Sequence, residues 1–291
     1  MENSLGPHRA PHIVHVADWH DLKAALQYLD GYLFRGHRVA EWKLEPSLWR
    51  DSSLPPAEER EGVEHRLLKA FRRRAHHYVA NPPPPNYRVE WLSLLRHFGG
   101  PTRLLDVSWS PFVAAFFALE GAKAGGTACI WAVHAQALKV NPTTKLREVG
   151  RDIGSDLVMF DESTEHAADN LMTNANHWVT FIEPFRLNER IAVQQGAFIL
   201  PLSLDNELYD DLLRTLDIDP GFTPKHVTFN PTTVDPTQVR DSLLVQLVFP
   251  GDIRQQALKE LHLMNVNAAT LYPGLEGFAR SLGTRLSVGE F

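Results

Sequence analysis

Residues 91–121 read WLSLLRHFGGPTRLLDVSWSPFVAAFFALEG, and this stretch decides the predicted fold. Its first part is amphipathic and ends at the turn signal Gly99-Gly100-Pro101. Ser110-Pro111 then predicts the start of a helix, because Ser is a common cap and Pro is favoured at the first helical position. That second helix is apolar on nearly every face, so we expect it to be buried.

Four polar residues lie between these two predicted helices: Thr102, Arg103, Asp106 and Ser108. Charged side chains near a core need partners or a function. Arg103 can bind a phosphate or an acceptor molecule, or it can form an internal brace with Asp106. Ser108 can donate to a ligand hydroxyl, although Ser110 is the better candidate for the helix cap.

The composition excludes several classes of protein. The chain has 291 residues, 44% hydrophobic content and a formal charge of -6, so it lacks a broad basic field for nucleic acid. A single cysteine excludes an internal disulfide framework and fits a reducing compartment. No signal-peptide pattern and no apolar run of about 20 residues is present, so we expect a cytoplasmic protein without a membrane partner. The 14 histidines lack metal-ligand spacing, and no metal site is predicted.

Outward from the central stretch, the pattern predicts one domain over residues 16–291, after a flexible segment at 1–15. Helices are predicted at 18–29, 58–78, 206–216, from 252 onward and at 275–282, and strands at 32–38, 127–133 and 243–249. Residues 190–200 read as two short strands hinged at Gln194-Gln195-Gly196, residues 161–165 as an acidic loop, and residues 136–180 show no firm pattern. Helices and strands without strict alternation predict an α+β fold with a mixed, mainly antiparallel sheet.

Arg35 and Gly36 stand at the end of the first strong strand pattern. Gly36 allows a ligand or another backbone to approach closely. A guanidinium suits a pyrophosphate because it can bind two oxygens at once, and His37 can add a further donor. The alternative is that Arg35 pairs with Asp106 or a carbonyl group and holds the edge of the sheet.

Five blocks of the chain, in order, resemble the FRG-domain family. They are FRG at 34–36, WxL and PSL at 42–48, HxGxPTRLLD at 97–106 with SP and AAFFA at 110–118, QQGxF at 194–198, and LYPGL at 271–275. The family is common in bacteria and phages. Its blocks are similar to a distant form of the ADP-ribosyltransferase fold.

The resemblance implies NAD as cofactor and transfer of ADP-ribose to a macromolecular acceptor, either protein or nucleic acid. It implies that Gln195 and Asp106 are the catalytic residues. The residues implied to bind the cofactor are Arg35, Gly36, His37, Thr102, Arg103, Ser108 and Gln194. Most active transferases have Glu where this chain has Gln. An amide can bind a ribose hydroxyl but cannot act as a base, so either catalysis is slow or a carboxylate from elsewhere serves, with Glu41, Glu90 and Glu183 as candidates. The alternative is a non-catalytic module that recognises a nucleotide or nucleic acid.

Overall fold

The computed structural model describes residues 10–50, 56–148, 171–172, 177–184, 189–219, 221–233 and 237–289. Within these ranges eight strands form one sheet in the order β5-β6-β3-β2-β4-β8-β1-β7. β1 is parallel to both of its neighbours, and every other pair of adjacent strands is antiparallel. The predicted α+β architecture with a mixed, mainly antiparallel sheet is therefore confirmed. The strands are β1 His12–His15, β2 Tyr32–His37, β3 Leu105–Ser108, β4 Thr127–His134, β5 Val179–Ile182, β6 Gly196–Pro201, β7 Lys225–Thr228 and β8 Leu244–Pro250.

Helices cover the sheet, and two of them begin where the sequence predicts. The Asp18 carboxylate accepts from the Asp21 amide at 2.8 Å, and the Ser110 hydroxyl accepts from the Val113 amide at 3.3 Å. Short 3-10 helices span Ser47–Arg50 and Gly251–Ile253. The α-helices are α1 Trp19–Leu26, α2 Ala57–Ala75, α3 Arg88–His97, α4 Pro111–Leu119, α5 Ala135–Glu148, α6 Glu189–Val193, α7 Leu208–Thr215, α8 Thr237–Arg240, α9 Arg254–Leu263, α10 Ala268–Leu271 and α11 Leu275–Val288.

Alternate residues of the central strands enter different cores, as the pleat of a strand requires. Phe34 and Ile130 pack on one face with α1, α4 and α9. Leu33 and Trp131 pack on the opposite face with α5 and α7. A third apolar cluster lies under α2 and α3 and includes residues of β5 and β6.

Gly36 is needed for the packing of α4 on β2. A Cβ atom at this position would lie 1.9 Å from the Ala114 carbonyl oxygen and 2.7 Å from the Ala118 nitrogen. The close approach that the sequence predicted at Gly36 is therefore made by the backbone of the buried helix. This contact fixes the strand that carries Arg35 and His37 against α4.

Three elements differ from the sequence predictions. His12–His15 forms strand β1 between β7 and β8, where a flexible segment was predicted. Glu189–Val193 is helical, so only the second half of the predicted strand pair is a strand. Ala135–Glu148 is a helix in a region without a firm pattern. Residues 161–165, predicted as an acidic loop, lie outside the described residues.

Candidate functional site

A cavity of about 390 Å³ opens beside the carboxyl-terminal end of β2. β2 and β3 are paired in register only at Phe34 and Ser108, and the cavity lies where the two strands separate. Its walls come from β2, β3, α4 and α6, and from Tyr272 and Arg280 near the end of the chain. The volume is within the range of about 300–1,000 Å³ that is common for small-molecule sites.

Arginine dominates the charge of this cavity. Among the described residues that line it there are two carboxylates, Asp106 and Glu120, and six guanidinium groups: Arg35, Arg38, Arg50, Arg96, Arg190 and Arg280. The whole chain has a formal charge of -6, so the net charge of the cavity residues is opposite in sign to that of the whole molecule. A concave surface of one sign concentrates ligands of the other sign, here anions.

Asp106 holds two of these arginines together. Its Oδ2 accepts from Arg96 Nε at 2.8 Å, from Arg96 Nη2 at 2.6 Å and from Arg35 Nη1 at 3.3 Å. Burial alone would raise the pKa of Asp106, but Arg96 and Arg35 hold it below its ordinary value. The carboxylate therefore stays ionised and keeps both guanidinium groups in fixed positions.

Arg35 is only partly satisfied by the protein. Its Nη1 also donates to the Asp106 carbonyl oxygen at 2.9 Å, while its Nε is buried and has no hydrogen-bond partner. Burial lowers the pKa of Arg35, and the nearby Asp106 carboxylate opposes this shift. A buried charged donor without an acceptor is costly, so this nitrogen is suited to an oxygen of a ligand.

His37 is two residues further along β2 and is 4% exposed. Neither of its ring nitrogens makes a hydrogen bond of normal geometry. Burial, with the charges of Arg35 and Arg50, lowers the pKa of His37 to about 3, and a weak contact with the Trp42 backbone opposes this only slightly. The imidazole is therefore neutral at physiological pH.

The opposite wall combines an aromatic ring with two cations. Arg190 and Arg280 lie over the Tyr272 ring, with their guanidinium carbons 4.7 and 4.3 Å from its centre. Arg280 also forms a two-pronged ion pair with Glu120, with both nitrogen–oxygen distances at 2.5 Å. Burial raises the pKa of Tyr272, so its hydroxyl stays protonated. This wall offers charge and an aromatic surface to the same ligand.

Six of the predicted site residues line this one cavity: Arg35, Gly36, His37, Asp106, Ser108 and Gln194. Ser108 and Gln194 also tie the walls together. The Ser108 hydroxyl donates to the Gln194 carbonyl at 2.7 Å, and Gln194 Nε2 donates to the Leu271 carbonyl at 2.7 Å. These two side chains therefore link β3, the turn before β6 and α10.

Thr102 and Arg103, which the resemblance assigns to the cofactor-binding set, lie away from this cavity. Both are fully buried and neither lines the cavity. The Arg103 Nη2 donates to Glu64 and to Glu61 of α2, both at 2.7 Å. Its Nη1 donates to the Pro201 and Leu202 carbonyls at 3.5 and 3.4 Å, so the guanidinium is committed to partners within the protein. The Thr102 hydroxyl accepts from the Leu104 amide at 3.3 Å. Arg103 is the internal brace that the sequence allowed as an alternative, with Glu64 rather than Asp106 as its main partner.

Gln195, which the resemblance implies is catalytic, also lies away from this cavity. It is exposed, does not line the cavity, and adopts a positive φ of 47° in the turn before β6. Its carbonyl accepts from the Trp109 amide at 2.9 Å. The substitute carboxylates Glu41, Glu90 and Glu183 do not line the cavity either, and Glu183 accepts from the Trp109 indole at 2.7 Å.

Several charged and aromatic residues of the cavity were absent from the predicted set: Arg50, Arg96, Arg190, Arg280, Glu120 and Tyr272. Arg96 and Tyr272 had a usable signal, because Arg96 directly precedes one block of the resemblance and Tyr272 lies within another. Glu120 closes the apolar run of α4. Arg190 and Arg280 carry no sequence signal, since their role depends on how distant segments pack.

Outside the cavity, the described residues bear on two further features, metal sites and membrane-spanning helices. Asp18, His20 and Asp21 form the one group of potential metal ligands among the described residues, and none of them lines the cavity. No described helix combines the length and apolar character that crossing a membrane requires.

Comparison with known proteins identifies part of the chain. The family model of the FRG domain matches residues 30–126, about a third of the sequence. This match contains β2, α3, β3 and α4. It includes the cavity residues Arg35, Arg96, Asp106 and Glu120. Arg190, Gln194, Tyr272 and Arg280 lie beyond it. No curated protein and no solved structure matches the chain.

Proposed function

We propose that this protein binds a nucleotide in the cavity through its phosphate groups, and that the nucleotide is NAD. The observation that carries the proposal is the excess of six guanidinium groups over two carboxylates around one cavity of about 390 Å³. Guanidinium groups bind phosphate oxygens through charge-assisted hydrogen bonds, often two at a time. NAD as the particular nucleotide comes from the resemblance to ADP-ribosyltransferases.

The hydrogen bonds of the cavity arginines indicate where phosphate would bind. Arg35 Nε has no partner, and Arg50 uses its Nε and Nη2 on the Glu45 carbonyl at 3.1 and 2.8 Å. Arg96 is fixed by Asp106, on the same side of the cavity. A pyrophosphate beside Arg35 and Arg96 would bind guanidinium groups that Asp106 already holds in place. Less side-chain conformational entropy would therefore be lost on binding.

Aromatic rings at two places can receive the planar parts of a dinucleotide. Tyr272 lies in the wall, and Trp42 is 45% exposed and also lines the cavity. The Arg38 guanidinium carbon is 4.9 Å from the centre of the Trp42 ring. Stacking of a base or nicotinamide on such a ring contributes about 1–3 kcal/mol per ring in nucleic-acid complexes.

ADP-ribosyl transfer would break the bond between the ribose and nicotinamide, with nicotinamide leaving with the bonding electrons. The acceptor would then form the new bond to the ribose carbon and lose its proton to a base. A carboxylate near the sugar would stabilise the developing positive charge. In the described cavity that group would be Asp106 or Glu120, in place of Gln195.

A second function, recognition of the nucleotide without catalysis, is favoured because both of these carboxylates form ion pairs with arginines. Asp106 is bound by Arg96 and Arg35, and Glu120 is bound by Arg280. Neither carboxylate faces the cavity without a cation beside it. Transfer would require one of these ion pairs to open when NAD binds, whereas recognition requires no such change.

Calorimetric titration with NAD, combined with detection of released nicotinamide, tests both functions. We expect NAD to bind, and Arg35→Ala to weaken the affinity at least tenfold, because a charged hydrogen bond contributes about 1.5–3 kcal/mol. Arg74→Ala is the matched control, since Arg74 is exposed on α2 and does not line the cavity. It should bind NAD like the wild type.

The outcomes separate the alternatives. Binding with nicotinamide release supports the transferase, and binding without release supports the recognition module. Absence of NAD binding, or equal affinity in the wild type and Arg35→Ala, contradicts the proposal. Labelled NAD incubated with protein and with nucleic acid would then identify the class of acceptor.

A further inference from the structure

His37 is a buried polar side chain whose hydrogen-bonding capacity the protein itself does not satisfy. It is 4% exposed and lines the cavity. Neither Nδ1 nor Nε2 makes a hydrogen bond of normal geometry, and the one backbone contact of the ring, with Trp42, is weak. Its ring has one aromatic neighbour of note, Trp42, whose ring centre is 6.3 Å away in an edge-on arrangement. Buried polar atoms are nearly always paired in folded proteins, so two unpaired nitrogens on one ring indicate a partner from outside the chain.

The charges around His37 decide what that partner can be. Arg35 on the same strand and Arg50 on the 3-10 helix Ser47–Arg50 are the charged groups that act on the ring, and both are cationic. Burial, together with these two cations, lowers the pKa of His37 and keeps the imidazole neutral, so the ring has one N–H donor and one acceptor nitrogen. A fully ionised phosphate only accepts hydrogen bonds and would leave the acceptor nitrogen unsatisfied. A hydroxyl group both donates and accepts.

The spacing on β2 places this group next to the phosphate position. Arg35 and His37 are two residues apart on one strand, which puts them on the same face and about 7 Å apart along it. Both residues line the same cavity, and both carry buried nitrogens without a hydrogen bond of normal geometry. A ligand that satisfies both therefore carries an anionic group and a neutral hydroxyl on adjacent parts of the molecule.

We propose that His37 binds a ribose hydroxyl of the ligand whose phosphate binds Arg35, so that the cavity selects ribonucleotides over deoxyribonucleotides and over inorganic pyrophosphate. This assignment rests on the proposed function, because it takes the ligand to be a nucleotide. It gives His37 a role different from the phosphate donor that the sequence suggested. The imidazole binds the sugar, and the arginines bind the phosphates.

Calorimetry with the two halves of NAD tests the assignment. The probes are ADP and nicotinamide mononucleotide, each in its ribose, 2′-deoxy and 3′-deoxy form, together with inorganic pyrophosphate. For the wild type we expect at least one deoxy form to bind about tenfold more weakly than its ribose parent, the effect of one lost hydrogen bond.

Two variants at the same position show whether His37 causes the preference. His37→Leu should bind the ribose and deoxy forms equally, because it has neither donor nor acceptor. His37→Gln should keep part of the preference, because its amide has both. His65→Leu, at an exposed position of α2, should keep the full preference. A merely structural role would change the affinity for both forms by the same factor and leave their ratio unchanged.

The results distinguish this inference from the proposed function. If nucleotides bind the wild type without any preference for ribose, or if His37→Leu keeps the wild-type ratio, the role of His37 is wrong while nucleotide binding stands. If NAD itself does not bind, the proposed function fails, and the assignment of His37 fails with it.

Discussion

Arg35 and His37 show how one strand end can prepare a site before any ligand arrives. Three buried nitrogens on these two side chains make no hydrogen bond of normal geometry, although Arg35 Nη1 donates to the neighbouring Asp106. Unsatisfied buried groups reduce stability, and they persist where the surrounding packing leaves no alternative. Here β2 is paired with β4 and packed on α4, so its backbone holds both side chains at the cavity.

The neutral state of His37 predicts a dependence of stability on pH. In the unfolded chain the ring takes up a proton near its ordinary pKa of 6.5, while in the folded protein it does so only near pH of about 3. The unfolded state therefore binds more protons between these values, and the free energy of unfolding decreases as the pH falls through this window. Urea denaturation between about pH 7 and about pH 4.5 measures this decrease.

His37→Gln should make that decrease smaller, because Gln does not titrate. His97 and His134 also have lowered pKa values from burial, but both are present in the wild type and in the variant, so their contribution cancels. His65→Gln serves as the exposed control and should retain the wild-type profile. Equal pH profiles for the wild type and His37→Gln would show that the ring is accessible to protons in the folded protein.

At the scale of elements, the contact between β2 and α4 positions the site. Gly36→Ala would place a methyl group 1.9 Å from the Ala114 carbonyl, and backbone atoms cannot yield as a flexible side chain can. We expect a loss of about 1–3 kcal/mol in the free energy of unfolding, the usual cost of overpacking. Thermal and urea denaturation provide the measurement.

Gly62→Ala is the matched control for this substitution. Gly62 lies in α2, where an added Cβ would meet only the end of the Arg66 side chain at 3.3 Å. Ala is a better helix former than Gly by about 1 kcal/mol, so this variant should be as stable as the wild type or more stable. If Gly36→Ala proved equally stable, α4 would not be packed on β2 as described.

A second element-scale contact joins α2 to the turn before β3. Arg103 and Glu64 are 0% and 1% exposed, and Arg88 also donates to Glu64 at 2.9 Å. Glu64→Gln would leave the Arg103 charge buried with less compensation, and we expect destabilisation of about 3–5 kcal/mol. The affinity of the folded variant for NAD should not change, because neither residue lines the cavity.

Glu59→Gln on the exposed side of the same helix provides the comparison for Glu64→Gln. It should alter stability by no more than about 0.5 kcal/mol. If Glu64→Gln weakened NAD binding in protein that is still folded, Arg103 would contribute to the site after all. Urea denaturation and calorimetry on the same samples separate the two effects.

The scale of the whole molecule explains why the sequence predicted part of the site and missed the rest. Local signals were sufficient for the helix starts at Asp18 and Ser110, and for the strand that ends in Arg35 and His37. They were not sufficient for Arg103, whose partners Glu61 and Glu64 come from a helix earlier in the chain. A polar residue near a predicted site can face either the ligand or the core, and only packing decides which.

The far wall of the cavity depends on even longer separations. Arg280 pairs with Glu120 across 160 positions, and Gln194 donates to the Leu271 carbonyl across 77. Such contacts leave no trace in periodicity or turn chemistry. The site is therefore a property of the assembled fold, with one wall inside the region that matches the FRG domain and the other wall outside it.

A crystal structure of the protein soaked with NAD, at a concentration that saturates binding in calorimetry, tests the central claim most directly. We predict a phosphate oxygen within hydrogen-bond distance of Arg35 Nε, in the cavity beside the carboxyl-terminal end of β2. NAD bound at any other place, or a cavity without nucleotide under those saturating conditions, would contradict it.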